Sequence, residues 1–410
     1  MSAEFQPVTV HLKKDAYIFV EGKQNADKFY IVKQGNVRII REALTDDAGS
    51  VLGPGEMFGL ISTMAAHGYI ESALAETDVT LLAIERKQYG SLIRKVNTVA
   101  VNSVKAFSQR LRELDVALSQ RTLKNTASAD HSHIVQIGDY YKNSGKLESA
   151  LYAYRRYVTL CPNAHDTDDI KAKIAEMEGS VVQTRPEYGS DKMIQTYPRA
   201  HLLFAEGETG NTMYIIQSGS VKITKVVDNK EIILAVLSKG DIFGEMALLE
   251  DKPRAATAEV YDECTLLAVN RDNFSNLIKD QTDMVVRMAT LMSERIWLLY
   301  RQLDNTFIEN PLGRIYDALL IQLEKNRVDI NSVQSYQCNF GIKELMGMAG
   351  MPESENKHLD RKVAGDGKLT FVDDKIHIPK ISDILKESTF YRRAQKIAEN
   401  RESIRKGALK

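Results

Sequence analysis

The stretch FGEMALLEDKPRAAT at residues 243–257 decides how this chain is interpreted. Gly244 permits a tight turn, and residues 246–249 favour a short helix whose first free N–H groups point outward as an anion site. Arg254 can add a bidentate, charge-assisted pair to a phosphate. The carboxylate of Glu245 can accept hydrogen bonds from sugar hydroxyls. The stretch therefore predicts a ligand that has a phosphate and a ribose.

The same stretch resembles the phosphate-binding cassette of cyclic-nucleotide-binding domains, with its pattern FGE, Ala-Leu and Pro-Arg-Ala-Ala-Thr. An isolated Glu and Arg would be an ordinary surface ion pair, but the full pattern favours a ligand site. The resemblance implies that Glu245 holds the ribose 2′-hydroxyl, that Arg254 holds the cyclic phosphate, and that Ala255 shields the site. Backbone groups of Gly244, Met246 and Ala247 would bind the remaining phosphate oxygens. The expected site residues are Phe243, Gly244, Glu245, Met246, Ala247, Arg254, Ala255, Ala256 and Thr257.

Cyclic AMP is the expected ligand, and cyclic GMP is the second candidate. In the resembled family a threonine after the arginine is associated with guanine, whereas Ala255 follows Arg254 here. The base is often met by a helix beyond the barrel, where Thr290, Ser293 and Glu294 are candidate polar partners.

Composition excludes several other classes of protein. The 54 Lys and Arg against 55 Asp and Glu give a net charge of −1, so no global basic field indicates a nucleic-acid binder. Cys161, Cys264 and Cys338 are widely spaced, as expected of reduced core thiols. His131 and His133 lack further metal ligands nearby, and no catalytic spacing is present, so neither a metal site nor an enzyme is expected. The absence of an apolar leader or span predicts a cytoplasmic protein.

Short β-rich runs cut by glycines recur twice and predict two jelly-roll barrels. FYIVKQGNVRI at 29–39 aligns with MYIIQSGSVKI at 213–223, and GPGEMFG at 53–59 aligns with SKGDIFG at 238–244. The first copy, barrel 1, has Leu60 where the second copy, barrel 2, has Glu245; it also has Tyr69 for Arg254 and Glu71 for Ala256. Barrel 1 should therefore repel a cyclic nucleotide and be structural or regulatory. The alternative is that Tyr69 and Glu71 bind a different, less anionic ligand.

A helical module is expected between the barrels. Residues 131–164 resemble one tetratricopeptide repeat, in which Gly138 and Ala150 let two helices approach, Gly145 makes the turn and Pro162 stops the second helix. A third helix follows at 166–179. A solitary repeat needs neighbours to cover its apolar faces, so packing on the barrels is favoured over a groove for a protein partner.

After barrel 2, apolar residues spaced alternately four and three apart form a heptad seam on a helix at about 283–303. The seam residues are Val285, Ala289, Met292, Ile296, Leu299 and Leu303. The spacing suits a homodimer and intrachain packing equally well. The family resemblance favours the homodimer.

The C-terminal region has the order helix, turn, helix and β-hairpin, which resembles the winged helix-turn-helix of Crp-Fnr regulators. The start of its recognition helix departs from the family pattern. Glu353, Ser354 and His358 stand where those regulators usually carry Arg and Glu and, one turn on, a further Arg. Residues 343–375 carry six positive and seven acidic side chains, which does not suit a DNA-binding face. The candidate nucleic-acid residues are Ser354, Lys357, His358, Arg361 and Lys362.

The tail from residue 390 carries seven positive and two acidic side chains and is expected to be helical. A phosphate-contacting arm and a solvated helix are both compatible with it.

The expected fold is multidomain α+β, with two jelly-roll domains joined by a small helical module and a winged-helix-like C-terminal domain. The expected boundaries are 1–126, 127–182, 190–304, 305–389 and a basic tail at 390–410. The leading functional hypothesis is a Crp-Fnr-like transcription regulator that binds a cyclic nucleotide in barrel 2. The alternative is a nucleotide-responsive adaptor that binds proteins and not DNA, with no membrane contact in either case.

Overall fold

The architecture comes from a computed structural model. It describes residues 6–41, 49–122, 132–178, 193–208, 210–227, 230–245, 254–270, 282–351, 363, 365 and 367–407.

Barrel 1 is formed by two antiparallel four-stranded sheets that share one core. Their orders are β1-β8-β3-β6 and β2-β7-β4-β5. Buried side chains from both sheets, including Phe19, Ile39 and Leu81, fill the space between them. A short helix, α1, lies between β6 and β7. The elements are β1 Val8–Leu12, β2 Tyr17–Phe19, β3 Lys28–Gln34, β4 Val37–Ile40, β5 Ser50–Leu52, β6 Met57–Phe58, α1 Leu60–Ala65, β7 Ser72–Ala75 and β8 Val79–Glu85.

Barrel 2 repeats this strand order along the chain. Its strands are β9 Ile194–Tyr197, β10 Leu202–Phe204, β11 Thr212–Val227, β12 Lys230–Ser238, β13 Ile242–Phe243 and β14 Thr257–Asn270. The long strand β11 covers the positions of β3 and β4, and β14 covers those of β7 and β8. Equivalent pairs recur, since Tyr30 opposes Phe58 in barrel 1 and Tyr214 opposes Phe243 in barrel 2. The predicted duplication is therefore confirmed by strand order and register.

Helices follow barrel 1. They are α2 Tyr89–Lys95 and α3 Asn97–Thr122, then α4 Ser132–Asn143, α5 Leu147–Leu160 and α6 Thr167–Glu178. Helices α4 to α6 form the helical module around a buried cluster that includes Tyr154. A Cβ at Gly138 would lie 2.5 Å from the Tyr154 ring, so only glycine lets α4 and α5 approach this closely. Gly145 takes a left-handed φ of 74° in the turn between them.

Helix α7, Thr282–Thr306, contains the predicted heptad seam. Five of its six seam residues are at most 1% exposed within the single chain, and the sixth, Leu299, is partly buried. A homodimer through this seam would find no exposed apolar stripe to cover. Burial within one chain favours the intrachain alternative, because the chain itself covers the stripe, and the homodimer interface on 283–303 stays a prediction.

The C-terminal domain follows α7. It comprises α8 Pro311–Lys325, β15 Tyr336–Gln337, α9 Ile342–Met348, β16 Thr370–Val372, β17 Lys375–Ile378 and α10 Ile381–Gly407. The strands form a small sheet in the order β15-β17-β16. Its core includes Ile315, Leu345, Ile376 and Ile384. Helix α10 continues through residue 390, so the predicted start of a separate tail falls inside this helix.

The chain divides into two compact units that do not follow chain order. One unit contains Tyr89–Arg112 and Asn125–Met292, and therefore barrel 2 and the helical module. The other contains Phe5–Gln88, Glu113–Lys124 and Ser293–Lys410, and therefore barrel 1 and the C-terminal domain. Helices α3 and α7 each contribute residues to both units.

Among the described helices, none is long and apolar enough to cross a membrane. The described residues also contain no group of three or more His, Cys, Asp or Glu side chains arranged to hold a metal ion.

Candidate nucleotide site

The candidate site lies where β13 ends and β14 begins. Phe243 is buried in the core of barrel 2, and Gly244 turns the backbone with a left-handed φ of 73°. Glu245 follows and is 1% exposed. The predicted backbone donors Met246 and Ala247 lie outside the described residues. The next described residue is Arg254.

Arg254 is the central side chain of the site. It is 7% exposed, its Nη1 donates to the carbonyl of Gly244 at 2.9 Å, and its guanidinium lies 4.0 Å from the centre of the Phe204 ring. Its Nε has no hydrogen-bond acceptor among the described residues. Burial lowers the pKa of Arg254, while nearby Tyr214, Glu208 and Glu245 act in the opposite direction. A buried cation of this kind is stabilised by an anion.

Two glycines make room for this arginine. A Cβ at Gly210 would lie 2.6 Å from Nη2 of Arg254, and a Cβ at Gly244 would lie 2.7 Å from Nη1. Both distances are shorter than real Cβ contacts, so a side chain at either position would displace the guanidinium. The two glycines are therefore steric requirements of the site.

The backbone of Arg254 is fixed by the loop after β10. Its N–H donates to the carbonyl of Glu208 at 2.7 Å, and its carbonyl accepts from the N–H of Gly207 at 2.9 Å. The side chain of Glu208 in turn accepts from the N–H of Ala205 at 2.8 Å. The position of the arginine is thus set by hydrogen bonds that do not use its guanidinium.

Glu245 is held by a helix that follows barrel 1 in the chain. The hydroxyl of Ser108, on α3, donates to the carbonyl of Glu245 at 3.2 Å, and Ser108 is fully buried. Ser108 and Glu245 belong to the same compact unit. Helix α3 therefore contributes directly to the candidate site in barrel 2.

The helical module contacts the other end of the predicted site. The hydroxyls of Tyr141, on α4, and Thr257 lie 2.5 Å apart, and Thr257 Oγ1 also accepts from the N–H of Glu206 at 3.0 Å. Lys146 pairs with Glu259 at 2.5 Å. The module thus packs on barrel 2 as predicted. Ala255 and Ala256, between Arg254 and Thr257, are partly exposed.

The equivalent place in barrel 1 is filled by the barrel's own side chains. The ring of Tyr69 stacks on Phe19 with centroids 3.8 Å apart, as the guanidinium of Arg254 lies on Phe204 in barrel 2. The Tyr69 hydroxyl donates to the carbonyl of Lys28 at 2.7 Å. Leu60 is 5% exposed.

Glu71 is likewise engaged inside barrel 1. Its carboxylate pairs with Nε of Arg41 at 3.1 Å and accepts from the N–H of Gly59 at 3.3 Å. A buried carboxylate at this place opposes an anionic ligand. The alternative ligand considered for barrel 1 would therefore have to share or displace the internal partners of Tyr69 and Glu71.

The three candidate base partners on α7 have different surroundings. Thr290 Oγ1 donates to the carbonyl of Val286 at 2.9 Å, within its own helix. Ser293 is fully buried, and its hydroxyl has no hydrogen-bond partner among the described residues. Glu294 accepts from Arg327 at 3.0 Å. Thr290 and Glu294 are therefore already hydrogen-bonded.

The candidate nucleic-acid residues all lie outside the described part of the chain. They are Ser354, Lys357, His358, Arg361 and Lys362. The β16–β17 hairpin is described, and its turn is formed by Asp373 and Asp374, both exposed and both with positive φ. Two carboxylates at a hairpin tip oppose contact with phosphates.

Sequence reasoning missed four residues of the site. They are Phe204, Ser108, Tyr141 and Gly210, none of which was assigned a role in it. The alignment of Phe204 with Phe19 was a usable signal for the first. Ser108 and Tyr141 come from other parts of the chain, so only the tertiary fold shows that they contact the site.

Comparison with protein families finds two matches to the cyclic nucleotide-binding domain, at residues 9–96 and 194–281. The chain therefore carries two copies of a cyclic nucleotide-binding domain. The second match contains the candidate site, and the first contains its filled counterpart.

Curated relatives include CRP-like regulators. The chain is 30% identical over 125 residues to the CRP-like cAMP-activated global transcriptional regulator of Mycobacterium tuberculosis, covering 30% of this chain and 56% of the relative. It is 31% identical over 129 residues to the cAMP-activated global transcriptional regulator CRP of Salmonella typhimurium, covering 31% and 61%. It is 27% identical over 172 residues to the cyclic AMP receptor protein of Thermus thermophilus, covering 42% and 76%. The chain thus spans little more than half the length of the first of these relatives.

Solved structures with similarity include a CRP/FNR-family transcriptional regulator from Thermus thermophilus, at 17% identity and a TM-score of 0.36, covering 48% of this chain and 98% of that one. The regulatory domain of Toxoplasma gondii PKA with cAMP matches at 17% identity and a TM-score of 0.20, covering 69% and 85%.

Proposed function

We propose that this protein is a non-enzymatic cyclic nucleotide receptor with one competent site, in barrel 2. The ligand is cyclic AMP, with cyclic GMP as the second candidate. Arg254 pairs with the cyclic phosphate, and Glu245 accepts from the ribose 2′-hydroxyl. Gly244, Met246 and Ala247 supply backbone donors, and Ala255, Ala256 and Thr257 complete the wall beside Phe243.

The observation that carries the proposal is the state of Arg254. Its guanidinium is buried against Phe204 and two glycines, with Nε lacking an acceptor among the described residues. Burying a cation is unfavourable unless an anion or strong acceptors compensate it. A cyclic phosphate supplies both the charge and the acceptor oxygens. The relatives whose names state that they are cAMP-activated support cyclic AMP as the ligand.

Calorimetric titration with cyclic AMP and cyclic GMP tests the proposal. Arg254→Ala should weaken cyclic AMP binding by about a hundredfold, because it removes a charge-assisted, bidentate contact. Arg199→Ala is the matched control, since Arg199 is exposed on the same barrel and contacts the Tyr261 ring. Equal affinities for the wild type and Arg254→Ala would refute the assignment of the site.

The proposed output is transcription regulation of the Crp-Fnr type in the cytoplasm, with DNA as the partner of a winged-helix-like C-terminal domain. The α8, α9 and β16–β17 elements occur in the order that such a domain requires. A gel shift on genomic and random DNA, with and without nucleotide and across salt concentrations, tests this output. The absence of any retardation at low salt would contradict it.

A second candidate function is a nucleotide-responsive adaptor that binds a protein through the C-terminal domain. It is favoured by the acidic hairpin tip and by an exposed apolar face on α10, where Phe390 is 62% and Ile397 is 54% exposed. Lys386 and Arg393 border that face, so its charge complements an acidic amphipathic helix. Reduced binding of an acidic amphipathic peptide by Phe390→Ala, with no DNA retardation, would favour this function.

A further inference from the structure

A single arginine of the C-terminal domain contacts the turn that follows α1 of barrel 1. Arg327 Nη2 donates to the carbonyl of Ala65 at 2.6 Å, and Nη1 donates to the carbonyl of Ala66 at 2.8 Å. Nη1 also lies 3.2 Å from Nδ1 of His67. The two carbonyls end a helix, where a cation is favoured. All of these residues belong to the same compact unit.

The same guanidinium also contacts α7. Arg327 Nη2 lies 3.0 Å from a carboxylate oxygen of Glu294. One turn further along α7, Trp297 stacks on His67 with ring centroids 3.8 Å apart and an angle of 14° between the planes. Tyr300 OH donates to the carboxylate of Glu21 at 3.0 Å. Arg327 is therefore the point where the C-terminal domain, α7 and barrel 1 meet.

The backbone of Arg327 closes the end of α8. Its φ of 57° is left-handed, which is uncommon for a residue with a side chain. It lies just beyond α8, which ends at Lys325. The N–H of Val328 donates to the carbonyl of Leu323 at 3.0 Å across this residue, which is how a helix commonly ends, so the end of α8 fixes where the Arg327 side chain begins.

A second set of contacts joins α7 to the C-terminal domain, and it is less exposed, since the side chains of Arg301 and Glu324 are 20% and 12% exposed. Arg301 lies 3.2 Å from Glu324 and 3.8 Å from Asp317. Asp317 is fully buried and pairs with Arg392 of α10 at 2.8 Å. Breaking a buried pair is strongly unfavourable, whereas exposed pairs contribute little. The Arg327 side chain is 44% exposed, so it is the attachment that opens more readily.

We propose that residues 65–67 of barrel 1 form a docking surface for the C-terminal domain, with Arg327 as its anchor, and that nucleotide binding in barrel 2 releases this contact through α7. The release rests on the proposed nucleotide site, whereas the docking does not. In barrel 1 the side chains of Tyr69 and Glu71 fill the place of a ligand. The turn at residues 65–67 is therefore a fixed surface. Helix α7 begins in the unit of barrel 2 and ends in the unit of barrel 1, so it can carry a displacement between them.

The chain contains one tryptophan, Trp297, and it reports on this contact directly. It is 3% exposed while it stacks on His67. Iodide quenching of its fluorescence should rise about threefold in Arg327→Ala without nucleotide. Lys325→Ala is the matched control, because it removes the same charge from an exposed position in the last turn of α8. The control should quench as the wild type does.

Hydrogen exchange of residues 60–70 provides the second measurement. Arg327→Ala should raise exchange there about tenfold, and saturating cyclic AMP should move the wild type toward the same rate. Unchanged quenching and exchange in Arg327→Ala would overturn the docking, whatever nucleotide does. If calorimetry shows binding while wild-type exchange and quenching stay constant, the release is overturned. If calorimetry shows no binding, the proposed function and the release both fail, and the Arg327→Ala result alone decides the docking.

Discussion

At the scale of single residues, the two barrels differ in the side chain that covers one equivalent phenylalanine ring. In barrel 2 the guanidinium of Arg254 covers Phe204, and in barrel 1 the ring of Tyr69 covers Phe19. The first arrangement leaves a buried cation for an anion, and the second leaves a closed aromatic stack. The same backbone therefore supports either a ligand site or a structural core.

Gly210→Ala should weaken cyclic AMP binding by about tenfold while barrel 2 stays folded. The new Cβ would lie 2.6 Å from the guanidinium of Arg254 and push it from its place on Phe204. Calorimetry gives the affinity, and circular dichroism checks the fold. Gly53→Ala in barrel 1 is the control, because a Cβ there has its nearest neighbour at 3.8 Å. Unchanged affinity in Gly210→Ala would show that the arginine position does not matter.

His67 should make the stability of barrel 1 depend on pH. Burial first, and then Arg327, Arg301 and Arg86, lower the pKa of His67 to about 3. An unfolded histidine has a pKa of about 6.5, so between these values the unfolded chain binds a proton that the folded chain does not. The free energy of unfolding should therefore fall as the pH drops from about 6.5 toward 3.

His67→Gln removes that titration. Denaturant unfolding at about pH 7 and about pH 5 gives the stability of the wild type and of the variant. The carboxylates contribute to the pH dependence of both proteins, so the difference between the two is the contribution of His67. The wild type should lose more stability than His67→Gln over this interval. Equal losses in the two proteins would mean that His67 is protonated in the folded state.

At the scale of elements, the presence of two similar barrels was predictable because the chain carries its own second copy, whereas strand order and register required the structure. The repeated β-rich segments, each interrupted by glycines, indicated the positions of β3 and β11 and of the turns at 53–59 and 238–244. The function of the seam on α7 was not predictable, because heptad spacing is the same whether the stripe meets a second chain or its own. The burial of Val285 and Ile296 within one chain favours intrachain packing.

Ile296→Asp should destabilise the folded chain by about 3 kcal/mol or more, because it places a charge in a fully buried position. If the seam were a homodimer interface, the same change would instead give a folded monomer. Thermal unfolding together with light scattering distinguishes the two. Arg287→Asp, on the exposed side of the same helix, should leave the unfolding temperature nearly unchanged.

The buried pair between α8 and α10 should be the firmest attachment of the C-terminal domain. Burial opposes ionisation of Asp317, but Arg392 and Arg301 outweigh it and lower the pKa of its carboxyl. Asp317→Ala would leave Arg392 with Asp304 as its remaining carboxylate partner and should cost about 3 kcal/mol, the low end for a broken buried pair. Denaturant unfolding measures the loss, with exposed Asp329→Ala as the control. A loss below about 1 kcal/mol, the range of an exposed pair, would contradict this role.

At the scale of the whole molecule, the chain combines two nucleotide-binding-type barrels with unequal chemistry. The inequality could be predicted from the sequence, because Leu60, Tyr69 and Glu71 align with Glu245, Arg254 and Ala256. The internal filling of barrel 1 could not, since the partners of Tyr69 and Glu71 are a backbone carbonyl and a distant arginine. The contribution of α3 to barrel 2 and of Arg327 to barrel 1 also required the tertiary fold.

The stoichiometry of nucleotide binding shows whether barrel 2 alone carries a competent site. Calorimetric titration of the purified chain with cyclic AMP should give one site per chain with simple, non-cooperative binding, and Arg254→Ala should abolish that site at the same concentrations. Glu71→Gln, which changes barrel 1 alone, should leave the stoichiometry at one. Two sites per chain, or an unchanged affinity in Arg254→Ala, would contradict a single competent site in barrel 2.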